Sequence, residues 1–189
     1  MKKSVLLILL TLVFNMATAQ TKGGHLLFEG YPIDGPVSAM EASLSGKGYS
    51  SCKVGTGAYY IIGTYEGYEN SMVTPLAEKD CMYAVNVCLP IQKTWAALEK
   101  QYNALKVKME AKYGKPVECV ERFKTAVPPT TDEQKLVSIA KQECEYTTSY
   151  DSPEGNVMIS ITNVNGSLGI SFCVEVLYVD KANYMRLLD

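Results

Sequence analysis

Two glutamates have the spacing of a catalytic carboxylate pair. Glu143 and Glu145 flank Cys144 in a segment with strand character. On a strand both would project from one face, about 6.6 Å apart by the strand rise. Carboxylates at roughly that separation can cleave a glycosidic bond, one as acid and one as base. Alternating charged residues are more typical of the solvated face of a half-buried sheet, and the sequence favours that interpretation.

Histidine is the second group that could transfer protons or hold a metal. The chain contains one, His25, within the polar, Gly-rich segment 20–30. We expect this segment to be a loose N-terminal arm and His25 to be an exposed linker residue. A general base must be held rigidly beside its substrate, so the sequence argues against His-dependent hydrolysis and multi-histidine metal sites. It predicts no metal and no cofactor.

Six cysteines could form disulfides or carry redox chemistry. No C-x-x-C motif occurs, so a structural role is favoured over a redox role. Six cysteines allow 15 full pairings, and the alternative that several are small buried hydrophobic residues stays open. Three precede the predicted central helix and three follow it, so full oxidation would need at least one bridge between the halves. The cysteines are Cys52, Cys81, Cys88, Cys119, Cys144 and Cys173.

The favoured bridge joins Cys119 to Cys144. These residues flank a connection containing Pro128-Pro129, and they would face each other if the segments on either side paired as a hairpin. The bridge would close a loop of ~25 residues and stabilise the fold by about 3 kcal/mol in the chain-entropy model.

Tyrosines cluster around one predicted hairpin. Tyr59, Tyr65 and Tyr68 lie there, and exposed tyrosines provide contact area for a protein or sugar with little loss of entropy. These three are therefore candidate binding residues. The alternative is that alternate tyrosines pack under helices and only Tyr68 is exposed, and the two-residue period of a strand favours it.

The N-terminus carries the pattern of a secretion signal. Two lysines precede the apolar run 5–14, and 17–19 is an A-x-A cleavage site. We expect residues 1–19 to be removed and the exported, periplasmic or secreted, protein to begin at Gln20. The apolar run is about half the ~20 residues of a membrane-spanning helix, so no transmembrane segment is predicted. The formal net charge of −2 becomes more negative without the leader lysines, which argues against nucleic acid as a partner.

The first half of the mature chain predicts a short helix followed by four strands. Val37, Met40 and Leu44 fall at helical spacing before glycines that end a helix. Runs of β-branched and aromatic residues, separated by polar turns, then predict antiparallel strands. The helix spans about 36–46 and the strands lie near 51–54, 58–65, 71–77 and 81–89.

The second half begins with an amphipathic helix over 93–113. Its apolar residues recur every three or four positions, and Gly114 and Pro116 end it. A Pro-rich connection at 125–134, four strands and a last helical turn at 181–189 are expected after it. The strands lie near 117–123, 136–150, 156–164 and 167–179, with a two-residue hairpin turn at Asn165-Gly166.

The two halves repeat one order of elements. Each has a helix, a glycine stop, a short strand with a central cysteine, and three further strands of which the last holds a cysteine. The order predicts one α+β domain, 20–189, with half-repeats at about 31–90 and 91–179. We expect an antiparallel sheet built from two pseudo-repeated helix-plus-four-strand units, with the helices packed on one face.

This order, over about 31–179, resembles the tandem repeat of β-lactamase-inhibitor-like proteins and their single-repeat relatives among envelope assembly lipoproteins. The strand and turn at Gly63-Thr64-Tyr65-Glu66-Gly67-Tyr68 are also similar to those of small exported proteins of Gram-negative anaerobes. No inhibitory or receptor-binding motif is matched, and the lipid-bearing cysteine of the single-repeat relatives is missing. The resemblance implies binding of protein partners without catalysis.

The sequence therefore favours an exported, non-catalytic binding protein whose partner is a protein or an envelope component. Its contact surface would be the open face of the sheet together with the tyrosine hairpin. Two alternatives stay open. One is a secreted hydrolase that acts on glycans through Glu143 and Glu145, and the other is a purely structural periplasmic module.

Overall fold

The chain folds as an α+β protein around one large antiparallel sheet. The computed structural model describes residues 24–54, 58–166 and 169–188, so the expected leader lies outside the described residues. In the first half the elements are β1 (Leu27–Phe28), β2 (Tyr31–Pro32), α1 (Val37–Ser45), β3 (Ser50–Val54), β4 (Ala58–Tyr65), β5 (Tyr68–Glu78) and β6 (Cys81–Cys88). In the second half they are α2 (Trp95–Tyr113), β7 (Glu118–Phe123), α3 (Asp132–Ala140), β8 (Cys144–Ser152), β9 (Gly155–Gly166), β10 (Gly169–Asp180) and α4 (Lys181–Met185).

Eight strands form a single sheet in the order β3-β4-β5-β6-β10-β9-β8-β7, and β1 pairs with β2 in a separate small hairpin. Strands adjacent in sequence are neighbours in this sheet except at its centre. There β6 pairs antiparallel with β10 and joins the first four strands to the last four. We call this pairing the central ladder. No helix in the described part of the chain is long and apolar enough to cross a bilayer.

The register aligns side chains in rows across the sheet. One row crosses all eight strands and is buried at its six central positions, and we call it the inner row. Successive residues of a strand project to opposite faces, so this row defines an inner face and its neighbours along each strand define an outer face. The inner row consists of Ser51, Ile61, Val73, Val87, Val176, Ile159, Thr148 and Cys119.

Helix α2 covers the inner face of β8, β9 and β10. It begins where the Thr94 side chain accepts a hydrogen bond from the Ala97 amide, and it ends at Gly114, whose φ of 84° favours glycine. The Tyr102 and Thr148 hydroxyls lie 2.6 Å apart and join the helix to the inner row. Full burial of a large apolar side chain stabilises the fold by about 1.5–3 kcal/mol. The buried apolar residues of α2 are Trp95, Leu98, Tyr102, Leu105 and Met109.

The expected strand over 136–150 is wrong in its first part, and so is the expected unstructured connection in its last part. Helix α3 occupies Asp132–Ala140, and β8 begins only at Cys144. The helix is nucleated by a capping box, in which the Thr131 side chain accepts from the Gln134 amide and the Gln134 side chain accepts from the Thr131 amide. The apolar residues of this segment are compatible with a strand or a helix, and the T-x-x-Q signature is the local signal for the helix.

The hairpin between β9 and β10 is confirmed, but the expected turn position is wrong. Asn165 pairs with Ile170 and Gly166 pairs with Gly169, so Asn165 and Gly166 belong to β9. The connection is residues 167–168, which lie outside the described residues. A small register shift of this kind follows from pairing along the whole length of two 12-residue strands, which outweighs the local preference of one dipeptide.

Replacing Gly63 by alanine should disturb the packing between β4 and the residue that precedes β3. The Tyr49 ring lies directly over the Gly63 backbone, where a Cβ would overlap it, and the Tyr49 hydroxyl donates to the Thr64 carbonyl at 2.9 Å. We expect Gly63→Ala to lower the free energy of unfolding by about 1–3 kcal/mol through overpacking. Urea denaturation followed by circular dichroism measures this loss.

The matched control for this prediction is Gly46→Ala. Gly46 has an ordinary helical φ of −63° at the end of α1, and an added Cβ there meets only the Ser43 carbonyl at 3.4 Å. Its replacement should change the free energy of unfolding by less than about 0.5 kcal/mol. A Gly63 variant as stable as the Gly46 variant would contradict the assigned packing of Tyr49.

Candidate functional site

The outer face of the sheet is a surface that the described helices leave partly uncovered. A row parallel to the inner row crosses all eight strands there, and only one of its members is buried. The row consists of Ser50, Ile62, Met72, Cys88, Glu175, Ser160, Thr147 and Val120. Cys88 is the buried member, whereas six of the others are partly exposed and Ser50, on the edge strand, is exposed.

Apolar side chains form two groups on this face, one on β4 and β5 and one on β9 and β10, with Asn86 of β6 between them. Ile62 lies opposite Met72, and Leu177 lies opposite Met158, so these side chains meet across neighbouring strands. All of them are partly exposed. We call the set the outer patch, which consists of Tyr60, Ile62, Met72, Leu76, Met158 and Leu177. An apolar set of this kind on a sheet face is suited to contact with another apolar surface.

Hydroxyl side chains occupy the part of the outer face formed by β8 and β9. Thr147 lies opposite Ser160, Ser149 lies opposite Met158, and Thr162 projects from the same side of β9. All four hydroxyl residues are partly exposed. The outer face therefore carries apolar groups on β4, β5, β9 and β10 and hydrogen-bonding groups on β8 and β9. A partner would need both kinds of group to match it.

Charge at the β7 edge of the outer face is locally balanced. The Glu145 carboxylate accepts from the Arg122 guanidinium at 2.7 Å and lies 3.6 Å from the Lys124 ammonium. The Arg122 hydrogen bond lowers the pKa of Glu145 below its ordinary value. Glu145 is therefore anionic at neutral pH and has no proton to donate as a general acid. On β10, Glu175 is bound by the Asn86 side-chain amide.

The structure buries Tyr65, one of the three candidate binding tyrosines. Tyr65 is 1% exposed, and its hydroxyl lies 2.8 Å from the buried Tyr178 hydroxyl. Burial raises the pKa of both phenols well above the ordinary value. Tyr68 is partly buried and packs against the core, and the Tyr59 side chain lies outside the described residues. Tyr65 is thus unavailable for contact, because strand alternation directs it to the inner face.

Glu143 and Glu145 are held by different parts of the structure. Glu143 lies just before β8, its amide donates to the Ser138 carbonyl of α3, and its side chain lines a groove of about 400 Å³ with Val137 and Pro129. Glu145 is paired with Arg122 of β7 instead. The expectation of a shared strand face assumed that the strand began before Glu143. Helix α3 and the turn after it shorten the strand to Cys144–Ser152.

The expected bridge between Cys119 and Cys144 rests on a register that the sheet does not adopt. Cys119 lies opposite Thr148, and Cys144 lies opposite Phe123 at the other end of the β7–β8 pairing. Both cysteines are free thiols. The two thiols also differ in environment. Cys119 is exposed with its sulfur 3.5 Å from the Lys106 ammonium, whereas burial raises the pKa of Cys144 to about 12.

His25 is not the loose linker residue that the sequence predicted. Its side chain is 16% exposed, and its Nδ1 lies 3.2 Å from Oδ1 of Asp180, a carboxylate that is fully buried. Asp180 also accepts from the Leu26 amide at 2.7 Å and from the Asn183 amide at 2.8 Å, which caps α4. The N-terminal segment is ordered here because its backbone binds a buried charge. The D-x-x-N sequence signals the cap of α4 but not the contact with His25.

Asn183 extends this polar cluster toward the first half of the chain. Its side-chain amide donates to the Ile33 carbonyl at 2.9 Å, the Met82 carbonyl at 2.9 Å and the Asp34 carboxylate at 3.0 Å. The Asn183 hydrogen bond lowers the pKa of Asp34, although partial burial opposes the shift. The cluster joins α4, β6 and the turn after β2. Its groups are occupied in structural bonds, and no group of three possible metal ligands occurs among the described residues.

Removing the Asp180 carboxylate should be strongly destabilising. Asp180→Ala leaves the buried Leu26 and Asn183 amides without an acceptor, and each lost bond of this kind costs about 1–3 kcal/mol. We expect the free energy of unfolding to fall by about 2–4 kcal/mol in urea denaturation. Asp151→Ala is the control, because Asp151 is exposed and bonds only the Asn156 side chain among the described contacts. Similar losses in both variants would show that Asp180 is not a structural anchor.

The thiols of Cys119 and Cys144 should differ in reactivity. At pH 8 an exposed thiol beside a lysine reacts with iodoacetamide in the folded protein, while a buried thiol whose pKa is about 12 holds almost no thiolate. We expect Cys119 to be alkylated at least tenfold faster, and the rate at Cys144 to keep rising as the pH increases above 9. Peptide mass spectrometry after timed labelling measures both rates. Equal protection of the two residues would contradict the assigned environments.

The assignment of a role depends on the geometry described above. Compared with models of protein families, with curated proteins and with solved structures, the chain matches none. The outer face, with its apolar and hydroxyl groups, is a candidate surface for contact with another molecule.

Proposed function

We propose that this chain is an exported, non-catalytic binding protein that contacts a protein partner through the outer face of its sheet. The observation that carries the proposal is the contrast between the two faces. The inner row is buried at Ile61 and Val73, whereas the residues next to them on the outer row, Ile62 and Met72, remain partly exposed. The free energy falls when a partner covers apolar side chains that are in contact with water, so such side chains favour binding.

The arrangement of the strands supports the proposed internal repeat. The order β3-β4-β5-β6 is followed by β10-β9-β8-β7, so each group of four runs from an outer edge to the central ladder. One helix precedes each group in the chain, α1 before β3 and α2 before β7. We infer two pseudo-repeated helix-plus-four-strand units, with α3 and the β1–β2 hairpin as additions to them.

Contacts of both helices with inner-row residues support packing of the helices on one face. In the first unit the Ser51 hydroxyl donates to Glu41 of α1, and in the second Tyr102 of α2 bonds Thr148. Such an architecture supports the resemblance to β-lactamase-inhibitor-like proteins. That resemblance favours a protein as the partner.

The chemistry of the outer face narrows the kind of partner. The outer patch would bury aliphatic and aromatic side chains, and the hydroxyls of Thr147, Ser149 and Ser160 would hydrogen-bond polar groups. The charges at this edge, Arg122 and Glu145, already neutralise each other. A protein segment that offers both apolar side chains and backbone or hydroxyl groups fits this surface better than a strongly charged ligand does.

Two other roles receive less support. A glycan hydrolase would need a carboxylic acid that keeps its proton near neutral pH, but the pKa of Glu145 is lowered by Arg122. Its proposed partner, Glu143, lies against α3 in a separate groove. A purely structural module would leave the outer patch without a partner, and this alternative predicts that changes on the patch have no effect on binding.

The proposal is tested by capture of envelope proteins on the immobilised mature chain. We expect Leu177→Glu, together with Ile62→Glu, to reduce recovery of the captured partner at least tenfold, because each places a charge within the outer patch. Val107→Glu is the matched control. Val107 is 71% exposed on the solvent side of α2, so the same charge there should leave recovery unchanged. Circular dichroism must first show that all variants are folded.

Two results would contradict the proposal. Equal recovery with the wild-type chain and the folded patch variants would remove the outer face as the contact surface. Loss of recovery with Val107→Glu alone would place the contact on the helical side instead.

A further inference from the structure

Two thiols meet beside the central ladder. Cys88 ends β6, and Cys173 lies in β10 two residues before Glu175, the residue opposite Cys88. The two sulfur atoms are 2.7 Å apart. Cys88 is 7% exposed and Cys173 is fully buried. In the described part of the chain these are the two cysteines whose sulfur atoms contact each other.

We propose that Cys88 and Cys173 form a disulfide that cross-links β6 to β10 in the exported protein. The residues project from the same side of neighbouring strands at diagonal positions. Their sulfur atoms, 2.7 Å apart, are already within about 1 Å of the length of a disulfide bond. The other four cysteines have different neighbours. Cys81 bonds Asp34, Cys119 lies beside Lys106 and Thr148, and Cys52 and Cys144 are free thiols.

The oxidation is balanced by thiol–disulfide exchange with an external disulfide, either a protein oxidant of the exporting compartment or glutathione disulfide. A thiolate of one cysteine attacks the external disulfide, forms a mixed disulfide and releases one external thiol. The thiolate of the second cysteine then attacks the sulfur of the first cysteine in the mixed disulfide. This forms the bond between Cys88 and Cys173 and releases the second external thiol. Two S–H bonds are replaced by one S–S bond, and two electrons and two protons pass to the external disulfide.

The buried position determines when this exchange takes place. The Cys88 thiol and burial both raise the pKa of Cys173, so little thiolate is present once β10 has joined β6. An external disulfide also cannot reach a fully buried sulfur. The bridge therefore forms during folding or in a transiently opened state, and the folded reduced protein is oxidised slowly.

The bridge would join the two halves of the chain. Its cysteines are 85 positions apart, one in each predicted half-repeat. It is therefore a bridge between the halves, of the kind that full oxidation requires with three cysteines on either side of α2. It would fix the one strand pairing that connects the two groups of four strands. Because Cys88 lies in the outer row opposite Met72, the bridge would also hold the two sides of the outer patch in a constant relation.

Mass spectrometry of the unreduced protein tests the bridge. The wild-type chain is exported to a bacterial periplasm, alkylated during denaturation and digested without reductant. We expect a Cys88 peptide linked to a Cys173 peptide, with alkylated thiols at Cys52, Cys81, Cys119 and Cys144. Recovery of both Cys88 and Cys173 as alkylated thiols, from protein refolded with glutathione disulfide as well as from the periplasm, would overturn the proposal.

Unfolding measurements test its effect on the fold. In the chain-entropy model, a bridge across 85 residues lowers the unfolding equilibrium constant by roughly a thousandfold. The wild-type chain should therefore show a higher urea midpoint when oxidised than when reduced. The variant Cys88→Ala/Cys173→Ala should lose this redox dependence, while Cys52→Ala/Cys144→Ala should retain it. A redox dependence that follows the second pair of cysteines would overturn the assignment, and the peptide analysis decides the matter if the first variant does not fold.

Discussion

The pairing of β6 with β10 is the interaction on which the rest of the structure depends. Within the sheet, strands β3–β5 are connected to strands β7–β9 only through this central ladder. Its register places Val87 opposite Val176 and Val85 opposite Tyr178, and all four side chains are buried. A shift by one residue would turn every one of these side chains to the opposite face, so burial of the inner face fixes the register. The inner row can cross eight strands without interruption because this pairing has no irregularity.

The difference between the two faces follows from the same register. Helix α2 packs on the inner face, and the inner-row residues beneath it are buried. Thr148, which bonds Tyr102, is one of them. The outer face receives the alternate residues, and their partial exposure provides a surface for contact. Most of the side chains that the sequence offers as candidates for chemistry are engaged in structural bonds. His25 binds the buried Asp180, and Glu145 binds Arg122. A binding role through the outer face is therefore the proposal that leaves these bonds intact.

Local patterns predicted the fold well and the candidate site poorly. The long apolar period of α2 and the alternating runs of β4 and β6 are strong local signals, and the structure confirms these elements. Helix α3 was missed because a short apolar run is compatible with either structure, and only its capping box favours a helix. Cys119 lies opposite Thr148 because α3 occupies part of the connection between β7 and β8 and so affects which residues of the two strands pair. The composition of the connection does not reveal this. The ordering of His25 depends on Asp180, 155 residues away, and no local pattern reports such a contact.

The most direct test of the account is a scan of photo-crosslinking residues along β5, made in the exported protein in its native compartment. Position 72 lies on the outer face, position 73 on the inner face and position 74 again on the outer face. Contact of a partner protein with the outer face predicts adducts at 72 and 74, none at 73, and none at Val107 on the exposed side of α2. Adducts at position 107 with none at 72 or 74 would contradict it.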